Sequence, residues 1–267
     1  MLNFCSLYSG STGNSLYIES ENTKILIDAG VSAKKIVTAL EQIGTNIDSI
    51  DAILVTHEHI DHIQSIGTLS KKFNIPVFSN LETWKAMPTQ LAKITEENRK
   101  TFNICESFDI KDLHITAFPI PHDAANPCGF NIFKDNNKIS IATDLGHITK
   151  PVMSALENSS FVMLESNYDT EVLKCCNYPY KLKTRIAGPN GHLSNSLAGK
   201  TIAYLMNKGL KQVMLGHLSK ENNFPELAYK TVMEEITCKN ADINIHVASR
   251  IEPSNLLKIC WLGERIC

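Results

Sequence analysis

Three histidines and a carboxylate stand close together with the spacing His-x-His-x-Asp-His: His57, His59, Asp61 and His62. The motif directly follows an apolar run at residues 52–55, which is typical of a buried strand. The end of a strand followed by a tight turn can point His57 and His59 to the same side. A helix that starts after the turn can then bring the side chains of Asp61 and His62 close to them. Imidazole and carboxylate groups together suit Zn²⁺, Mn²⁺ or Fe²⁺. Because such crowded groups would be poorly satisfied without a cation, the motif predicts a metal site in preference to a solvated polar loop.

Additional residues are needed to complete a centre with two metals, because one such cluster cannot fill two coordination shells. The candidates stand where predicted strands run out, and they are His122, Asp144 and His217. Binding residues collect at such positions in open α/β sheets. Taken singly, each could be a core or loop residue. As a set at the ends of strands, they are interpreted as metal ligands.

The overall composition is that of an ordinary globular protein with a nearly neutral charge. Of the 267 residues, 43% are hydrophobic and 20% are charged, and the formal net charge is −2. A protein that binds nucleic acid through its overall field is usually basic. The composition therefore argues against DNA packaging, but it is compatible with a nuclease that uses a local patch or its metals.

The cysteines and the N-terminus indicate the compartment. The eight cysteines include Cys175, Cys176, Cys260 and Cys267 and show no C-x-x-C spacing. A chain of this size does not need disulfide staples, so we expect free thiols in a reducing cytosol. The N-terminus lacks the basic and apolar regions of a signal peptide, and no stretch approaches the roughly 18 apolar residues that span a bilayer. We expect a soluble cytoplasmic protein that does not bind membranes.

Strand and helix signals alternate along most of the chain. In the first ninety residues, strands are predicted at residues 4–8, 15–19, 25–27, 52–55 and 75–78, and helices at 32–43 and about 61–73. Later strands are predicted at 113–118, 129–134, 138–142, 161–164, 212–215 and 243–247, with a hairpin turn at 135–137, a helix at 194–208 and a poorly patterned tail. No repeat or Pro-, Gly- or Ser-rich linker interrupts this pattern, so we expect one domain over residues 1–267. The alternation favours two packed sheets covered by helices.

The order of the candidate ligands along the chain resembles the metallo-β-lactamase superfamily, over about residues 5–219. The resemblance implies an α/β fold, the four-layer αββα metallo-β-lactamase sandwich. It also implies a binuclear centre in which one metal is held by His57, His59 and His122, the other by Asp61, His62 and His217, and both by Asp144. Asp28 resembles the superfamily's buried aspartate, which orients the histidine loop from behind.

Shorter motifs narrow the resemblance to one group of the superfamily. Secreted β-lactamases commonly have Cys at the position of Asp144, and diiron flavoproteins have Glu at the position of His59. The motifs at residues 9–15, 122–125, 143–146, 165–167 and 191–195 are similar to the YycJ/WalJ group, cytoplasmic bacterial proteins regarded as 5′→3′ DNA exonucleases. The chain departs from that group at Tyr168, where the group has a His, and Tyr168 would replace it as a hydrogen-bond donor.

The resemblance implies a metal-dependent hydrolase, a phosphodiesterase or nuclease acting on DNA. Two divalent metal ions (Zn²⁺ or Mn²⁺, with Fe²⁺ also compatible) would activate a hydroxide for attack on phosphorus, and Asp61 would orient it. A histidine placed like His192 pairs with a glutamate in related tRNA-processing nucleases, so His192 is the candidate acid for the leaving group and Glu165 its partner. The alternative for His192 is a packing role at the start of the next helix.

Two further segments allow both a binding and a structural interpretation. Residues 9–15 could cradle a phosphate with backbone N–H groups, or they could form a tight turn beneath the site. Residues 178–185 mix tyrosines with three cations, which suits single strands or duplex ends. The same residues could instead form a solvated helix face.

Two other functions remain open at the level of the sequence. One is a small-molecule hydrolase, either a cyclic phosphodiesterase or a thioesterase like glyoxalase II, although the chain lacks the C-terminal helical domain with which the latter group binds glutathione. The other is a non-catalytic metal-binding regulatory protein, although degenerate members of that kind usually lose ligands. The sequence leaves open which metal is bound, whether DNA or RNA is cleaved and with what polarity, and the oligomeric state.

Overall fold

Two mixed β-sheets face one another in the computed structural model, which describes residues 1–88, 94–236 and 243–259. The strands of these residues are, in chain order, β1 (Leu2–Tyr8), β2 (Ser15–Glu19), β3 (Lys24–Ile27), β4 (Ala52–Leu54), β5 (Val77–Ser79), β6 (Arg99–Thr101), β7 (Ser107–Ile110), β8 (Leu113–Pro119), β9 (Cys128–Lys134), β10 (Asn137–Ala142), β11 (Phe161–Glu165), β12 (Gln212–Gly216), β13 (Asn244–Val247) and β14 (Leu257–Ile259). The first sheet has the order β14-β1-β2-β3-β4-β5-β6, and the second has the order β13-β12-β11-β10-β9-β8-β7.

Part of each sheet consists of parallel strands, so the loops that follow these strands leave the sheet at the same edge. Strands β3 to β6 run parallel to one another in the first sheet, and β10 to β13 do so in the second. Parallel strands are covered on both faces and therefore have continuous apolar runs. Strands β4 and β11 are buried along their whole length, which explains why their short apolar runs predicted strands correctly.

Helices cover the outer faces of both sheets. In the described residues they are α1 (Ala33–Gln42), α2 (Ile60–Ile63), α3 (Ile66–Phe73), α4 (Leu81–Ala86), α5 (Lys150–Leu156), α6 (Thr170–Cys175), α7 (Tyr180–Ile186), α8 (Asn195–Met206) and α9 (Pro225–Ile236). None of these helices combines the length and the apolar character that crossing a lipid bilayer requires.

The apolar side chains form three layers of core between these elements. Phe4 of β1 and Phe130 of β9 belong to the layer between the two sheets. Leu40 of α1 belongs to the layer outside the first sheet, and Ile202 of α8 and Val232 of α9 belong to the layer outside the second. The predicted four-layer αββα sandwich is confirmed.

Several local predictions are also confirmed. Strands β9 and β10 are joined by a two-residue turn, and Asp135 in that turn has a φ of 53°, which Asp tolerates better than most residues. Ser194 caps α8, because its hydroxyl accepts a hydrogen bond from Leu197 N at 3.3 Å. The helix predicted at residues 32–43 forms as α1, although Ser32 at its start makes no side-chain capping bond.

The helix predicted at residues 61–73 is wrong as a continuous element, because the chain forms α2 and α3 with a break at Ser65. Two carbonyls that would continue the helix are captured by other loops. Asp61 O accepts from Asn14 N at 2.8 Å, and His62 O accepts from Ala29 N at 2.7 Å. Ser65 N in turn donates to Ala29 O at 2.9 Å. The break therefore comes from tertiary contacts and not from a helix-breaking residue.

The poorly patterned tail contains a strand that the sequence analysis did not predict. Strand β14 pairs antiparallel with β1, with Leu2 opposite Ile259. An edge strand of three residues is too short to show alternation, and its partner lies at the other end of the chain.

The cysteines of the described residues are free, and they are Cys5, Cys105, Cys128, Cys175 and Cys176. The predictions for Cys238, Cys260 and Cys267 lie outside the described residues.

Candidate metal centre

The candidate ligands leave the carboxyl ends of strands from both sheets. His57 follows β4, His122 follows β8, Asp144 follows β10 and His217 follows β12. Asp28 follows β3 in the same way. The backbone is left-handed at Asp28 (φ 63°), Asp144 (φ 59°) and His217 (φ 54°), a conformation that is uncommon for residues other than glycine. Such outliers persist where the surrounding structure fixes them, and they cluster at functional sites.

The structure brings all seven predicted ligands together. Side-chain donor atoms lie within 4.8 Å of one another in each of several groups, which include a first trio of His57, His59 and His122 and a second trio of Asp61, His62 and His217. A further group joins Asp144 to His57 and His62. The two trios are the sets that the resemblance implied. Their role as ligands stays a prediction.

Asp144 lies between the two trios. Its Oδ1 is 3.3 Å from His217 Nε2 and 3.9 Å from His122 Nε2. Its Oδ2 is 3.2 Å from His62 Nε2. Asp61 is closer to the second trio, because its Oδ2 lies 3.5 Å from His62 Nε2 and 3.7 Å from His217 Nε2. A carboxylate in the position of Asp144 can contact cations on both sides.

The donor atoms fit divalent cations. Buried atoms without a hydrogen-bond partner include His57 Nε2, His217 Nε2 and Asp144 Oδ2. An unsatisfied buried polar atom is costly, and an ion at the site would remove that cost. Neutral imidazole nitrogens and carboxylate oxygens are the donors that Zn²⁺ and Mn²⁺ take. The residues present therefore fit the metals that the sequence predicted.

Backbone and side-chain acceptors orient the histidine rings. His62 Nδ1 donates to Asp28 Oδ2 at 2.8 Å, and His122 Nδ1 donates to Gly191 O at 3.1 Å. These contacts assign the proton of each ring to Nδ1, so the lone pair of Nε2 is the one that can bind a cation. Asp28 also accepts from Thr56 N and Thr56 Oγ1, at 2.9 and 2.8 Å, so it fixes the start of the histidine loop. The predicted place of Asp28 behind the loop agrees with these contacts.

The predicted pair His192 and Glu165 lies at the same site. His192 Nδ1 is 2.9 Å from Glu165 Oε1, and the side chain of His192 remains 20% exposed while that of Glu165 is fully buried. Burial opposes ionisation of Glu165, but the charge of His192 lowers the pKa of Glu165 to about 2. Burial also lowers the pKa of His192, and Glu165 outweighs that effect and raises it. Glu165 thus stays anionic and favours a protonated His192.

Sequence analysis missed several residues that support the ligands. Asn167 Nδ2 donates to His217 O at 2.7 Å, and His217 N donates to Ser9 Oγ at 2.8 Å. Asn14 N donates to the carbonyl of the predicted ligand Asp61 at 2.8 Å. The signal for these residues was their place in the motifs at 9–15 and 165–167, from which the sequence analysis assigned no supporting role to Ser9, Asn14 or Asn167.

The loop at residues 9–15 is a tight turn beneath the site. Gly10 N donates to Asn14 Oδ1 at 2.9 Å, Gly13 N donates to Gly10 O at 3.0 Å and Asn14 N donates to Asp61 O. Because the N–H groups of Gly10, Gly13 and Asn14 are already paired within the fold, these three groups favour the turn over the phosphate cradle.

Known proteins resemble this chain in both sequence and fold. A family model described as the beta-lactamase superfamily domain matches residues 23–218. The chain is 36% identical to the exodeoxyribonuclease WalJ of Streptococcus pneumoniae serotype 2 (strain D39) over 247 residues, which cover 92% of this chain and 91% of that protein. It is 35% identical to the exodeoxyribonuclease YycJ of Bacillus anthracis over 87% of this chain and 88% of that protein. The metallo-beta-lactamase fold protein YhfI from Bacillus subtilis superposes with a TM-score of 0.71 at 14% identity, over 95% of this chain and 98% of YhfI.

Proposed function

The chain belongs to the metallo-β-lactamase superfamily and, within it, to the group of WalJ and YycJ, and on this premise we propose that it is a metal-dependent nuclease that hydrolyses DNA. The observation that carries the proposal is the convergence of seven donor side chains from distant parts of the chain, with Asp144 between two trios. The exodeoxyribonuclease names of the two relatives support DNA as the substrate and exonucleolytic cleavage as its mode. A substrate of this kind would place the enzyme in the cytoplasm.

We propose that the site holds two divalent cations, Zn²⁺ or Mn²⁺, with Fe²⁺ also compatible with the donors. The first trio would hold one cation, the second trio would hold the other, and Asp144 would contact both. Bound cations at such a site supply Lewis acidity, which lowers the pKa of water and neutralises charge on the phosphate.

We propose that Asp61 and His192 move protons around the scissile bond. The side chain of Asp61 is 24% exposed, whereas that of Asp144 is 3% exposed. Asp61 is therefore the carboxylate of the site that can accept a hydrogen bond from the attacking water. Glu165 fixes His192 through Nδ1 and favours its protonated form, so Nε2 can donate a proton to the leaving oxygen.

The test compares DNA with a small phosphodiester. Protein loaded with Mn²⁺ is incubated with end-labelled single-stranded and duplex DNA and, separately, with bis(p-nitrophenyl) phosphate. We expect stepwise shortening of the labelled DNA, and we expect Asp144→Asn to abolish it together with metal binding. His114→Ala is the matched control, because His114 is an exposed histidine that pairs with Asp109 outside the site.

Two results would contradict the proposal. Hydrolysis of the small diester without any cleavage of DNA would indicate a small-molecule hydrolase. Full metal occupancy without hydrolysis of either substrate would indicate a non-catalytic metal-binding protein.

A further inference from the structure

A cavity of about 530 Å³ lies between α6 and α7, and its lining includes Tyr168, Leu173, Lys174, Tyr178, Tyr180 and Lys183. Its volume is in the range of cavities that bind small organic ligands, and it could accommodate a nucleoside.

Two walls of the cavity are bonded to residues 192–195, the segment that carries His192. One wall is Tyr168, which forms a parallel bridge with Ser194 and whose carbonyl accepts from Asn195 N at 2.9 Å. The other wall is α7, where Ile186 O accepts from His192 N at 2.8 Å. Both walls are thus bonded to the short segment that carries His192.

A salt bridge also joins α7 to the ligand loops. Arg185 Nε donates to Asp123 Oδ2 at 2.7 Å, and Asp123 directly follows the predicted ligand His122. This contact links the helix that lines the cavity to the loop that carries His122.

The walls of the cavity combine aromatic rings with positive charge. Three of the lining residues are tyrosines. Residues 170–187 contain four cations and one anion. Lys174 is paired with Glu171 at 2.7 Å and Arg185 with Asp123, so Lys181 and Lys183 carry the positive charge of this segment. Lys183 Nζ donates to the carbonyl of Lys174 at 2.6 Å, a neutral partner that does not cancel its charge. This local surface is complementary to an anionic ligand with a flat apolar part.

We propose that the cavity receives one base of single-stranded DNA, adjacent to the phosphodiester bond that is to be cleaved, and that this inference rests on the nuclease function proposed above. The base stacks on a tyrosine ring, and the lysines attract the flanking phosphates. Stacking on aromatic side chains together with basic residues is the usual way in which proteins hold single strands without reading their sequence. The enzyme would therefore recognise a base of any identity in preference to a bare sugar–phosphate chain.

The test measures binding without requiring cleavage. Metal-loaded protein is titrated into a fluorescent octadeoxynucleotide with phosphorothioate linkages, which resist hydrolysis, and into the same octamer with abasic sugars. Fluorescence anisotropy gives both dissociation constants. We expect the octamer with bases to bind about tenfold more tightly than the abasic one.

Variants then assign the discrimination to the cavity. We expect Tyr178→Ala or Tyr180→Ala to bring the ratio of the two constants close to one, and Tyr178→Phe to preserve it because the ring remains. The ring of Tyr180 is 84% exposed, so its removal cannot disrupt the core. Tyr229→Ala is the matched control, because Tyr229 is a 44% exposed tyrosine on α9 and does not line the cavity. Metal content and the unfolding temperature report whether each variant is folded.

Equal binding of the two octamers by the unaltered protein would overturn the proposal, and so would an equal loss of discrimination in Tyr229→Ala. Discrimination that persists in both folded Tyr178→Ala and folded Tyr180→Ala would also overturn it. A protein that discriminates through these tyrosines but cleaves no DNA would retain the base-binding cavity and lose the proposed nuclease function, so the two failures can be told apart.

Discussion

At the level of single residues, the carboxylate of Glu165 contacts two histidines. Glu165 Oε1 lies 2.9 Å from His192 Nδ1 and 2.8 Å from His217 Nδ1. Its other oxygen accepts from Leu145 N and Leu193 N, at 3.0 and 2.9 Å. Glu165 is therefore a positioning residue for a predicted ligand and for the candidate acid at once. Its removal would affect both functions, whereas a change at His192 separates them.

We predict that His192→Ala slows hydrolysis of DNA about 10²- to 10⁴-fold, the usual contribution of a general acid. The metal content should stay that of the unaltered protein, because His192 belongs to neither predicted ligand trio. Steady-state cleavage rates and elemental analysis of the same preparation measure the two effects. A variant with an unchanged rate would leave His192 with only the packing role.

At the level of elements, the loop after β3 packs directly under the histidine loop. A methyl group added at Gly30 would lie 1.6 Å from Asp61 O and 2.8 Å from Asn14 N. Only a residue without a side chain allows this approach. The neighbouring Ala29 N donates to His62 O at 2.7 Å, and Ala29 O accepts from Ser65 N at 2.9 Å. The position of Asp61 and His62 thus depends on a contact between segments about 30 residues apart.

We predict that Gly30→Ala lowers the free energy of unfolding by about 1–3 kcal/mol through overpacking and weakens metal binding, because the loop with Asp61 must move. Urea unfolding and metal titration measure the two quantities. Gly44→Ala is the control, since Gly44 has a φ of 78° but nothing near its missing side chain. The control should lose stability through backbone strain and keep its metal affinity. Unchanged metal affinity in Gly30→Ala would show that the close approach does not position Asp61.

Asp112 links the turns of two hairpins in different sheets. It accepts hydrogen bonds from Ser20 Oγ, at 2.7 Å, and from Thr23 Oγ1, both in the β2–β3 turn, while Asp112 itself lies in the β7–β8 turn. Lys134 Nζ lies 3.4 Å from the other carboxylate oxygen. Although burial opposes ionisation, the two hydroxyls lower the pKa of Asp112 from 3.8 to about 2.

We predict that Asp112→Asn lowers the free energy of unfolding at pH 7 by about 1–2 kcal/mol, allowing for solvent screening near the surface. The folded-state pKa is depressed, so this contribution is present above pH 4 and is lost as the pH falls through 2. Urea unfolding at pH 7 and pH 3 should show the gap to the unaltered protein shrinking. The control Asp109→Asn, at a residue 70% exposed, should change stability by no more than about 0.5 kcal/mol at either pH. A gap for Asp112→Asn that does not depend on pH would exclude this explanation.

At the level of the whole molecule, the predicted ligands come from both sheets. His57, His59, Asp61 and His62 follow β4 of the first sheet, and His122, Asp144 and His217 follow strands of the second. Cations held between them would connect the two halves of the sandwich. Metal binding and folding stability are then linked, because a ligand that binds only the folded state stabilises it.

We predict that adding Mn²⁺ or Zn²⁺ to chelator-treated protein raises its unfolding temperature. When the free metal concentration is about a thousand times the dissociation constant, the free energy of unfolding should rise by about 4 kcal/mol. Scanning calorimetry with and without the metal measures the shift. Asp144→Asn should show little of it, because the carboxylate between the two trios is lost. An equal shift in Asp144→Asn would place the stabilising metal elsewhere on the protein.

The amino-acid sequence by itself determined the donor types, the local His-x-His-x-Asp-His spacing, most of the strands and the place of the later ligands at strand ends. These features depend on side-chain chemistry and on periodicity within a few neighbouring residues. The four-layer architecture and the group within the superfamily were implied by the resemblance that the ordered ligands and the shorter motifs carry. The domain boundaries and the ligand roles of individual residues stay predictions.

Only the tertiary structure decided which distant groups meet. The break at Ser65, the pairing of β14, the support of His217 by Asn167 and the cavity beside Tyr168 all arise from contacts between segments far apart in the chain. A carbonyl in a helical pattern carries no sign that another loop will capture its hydrogen bond, and a short edge strand carries no sign of its partner. Such pairings are set by the packing of the two sheets, because packing selects which of many locally acceptable hydrogen bonds is made.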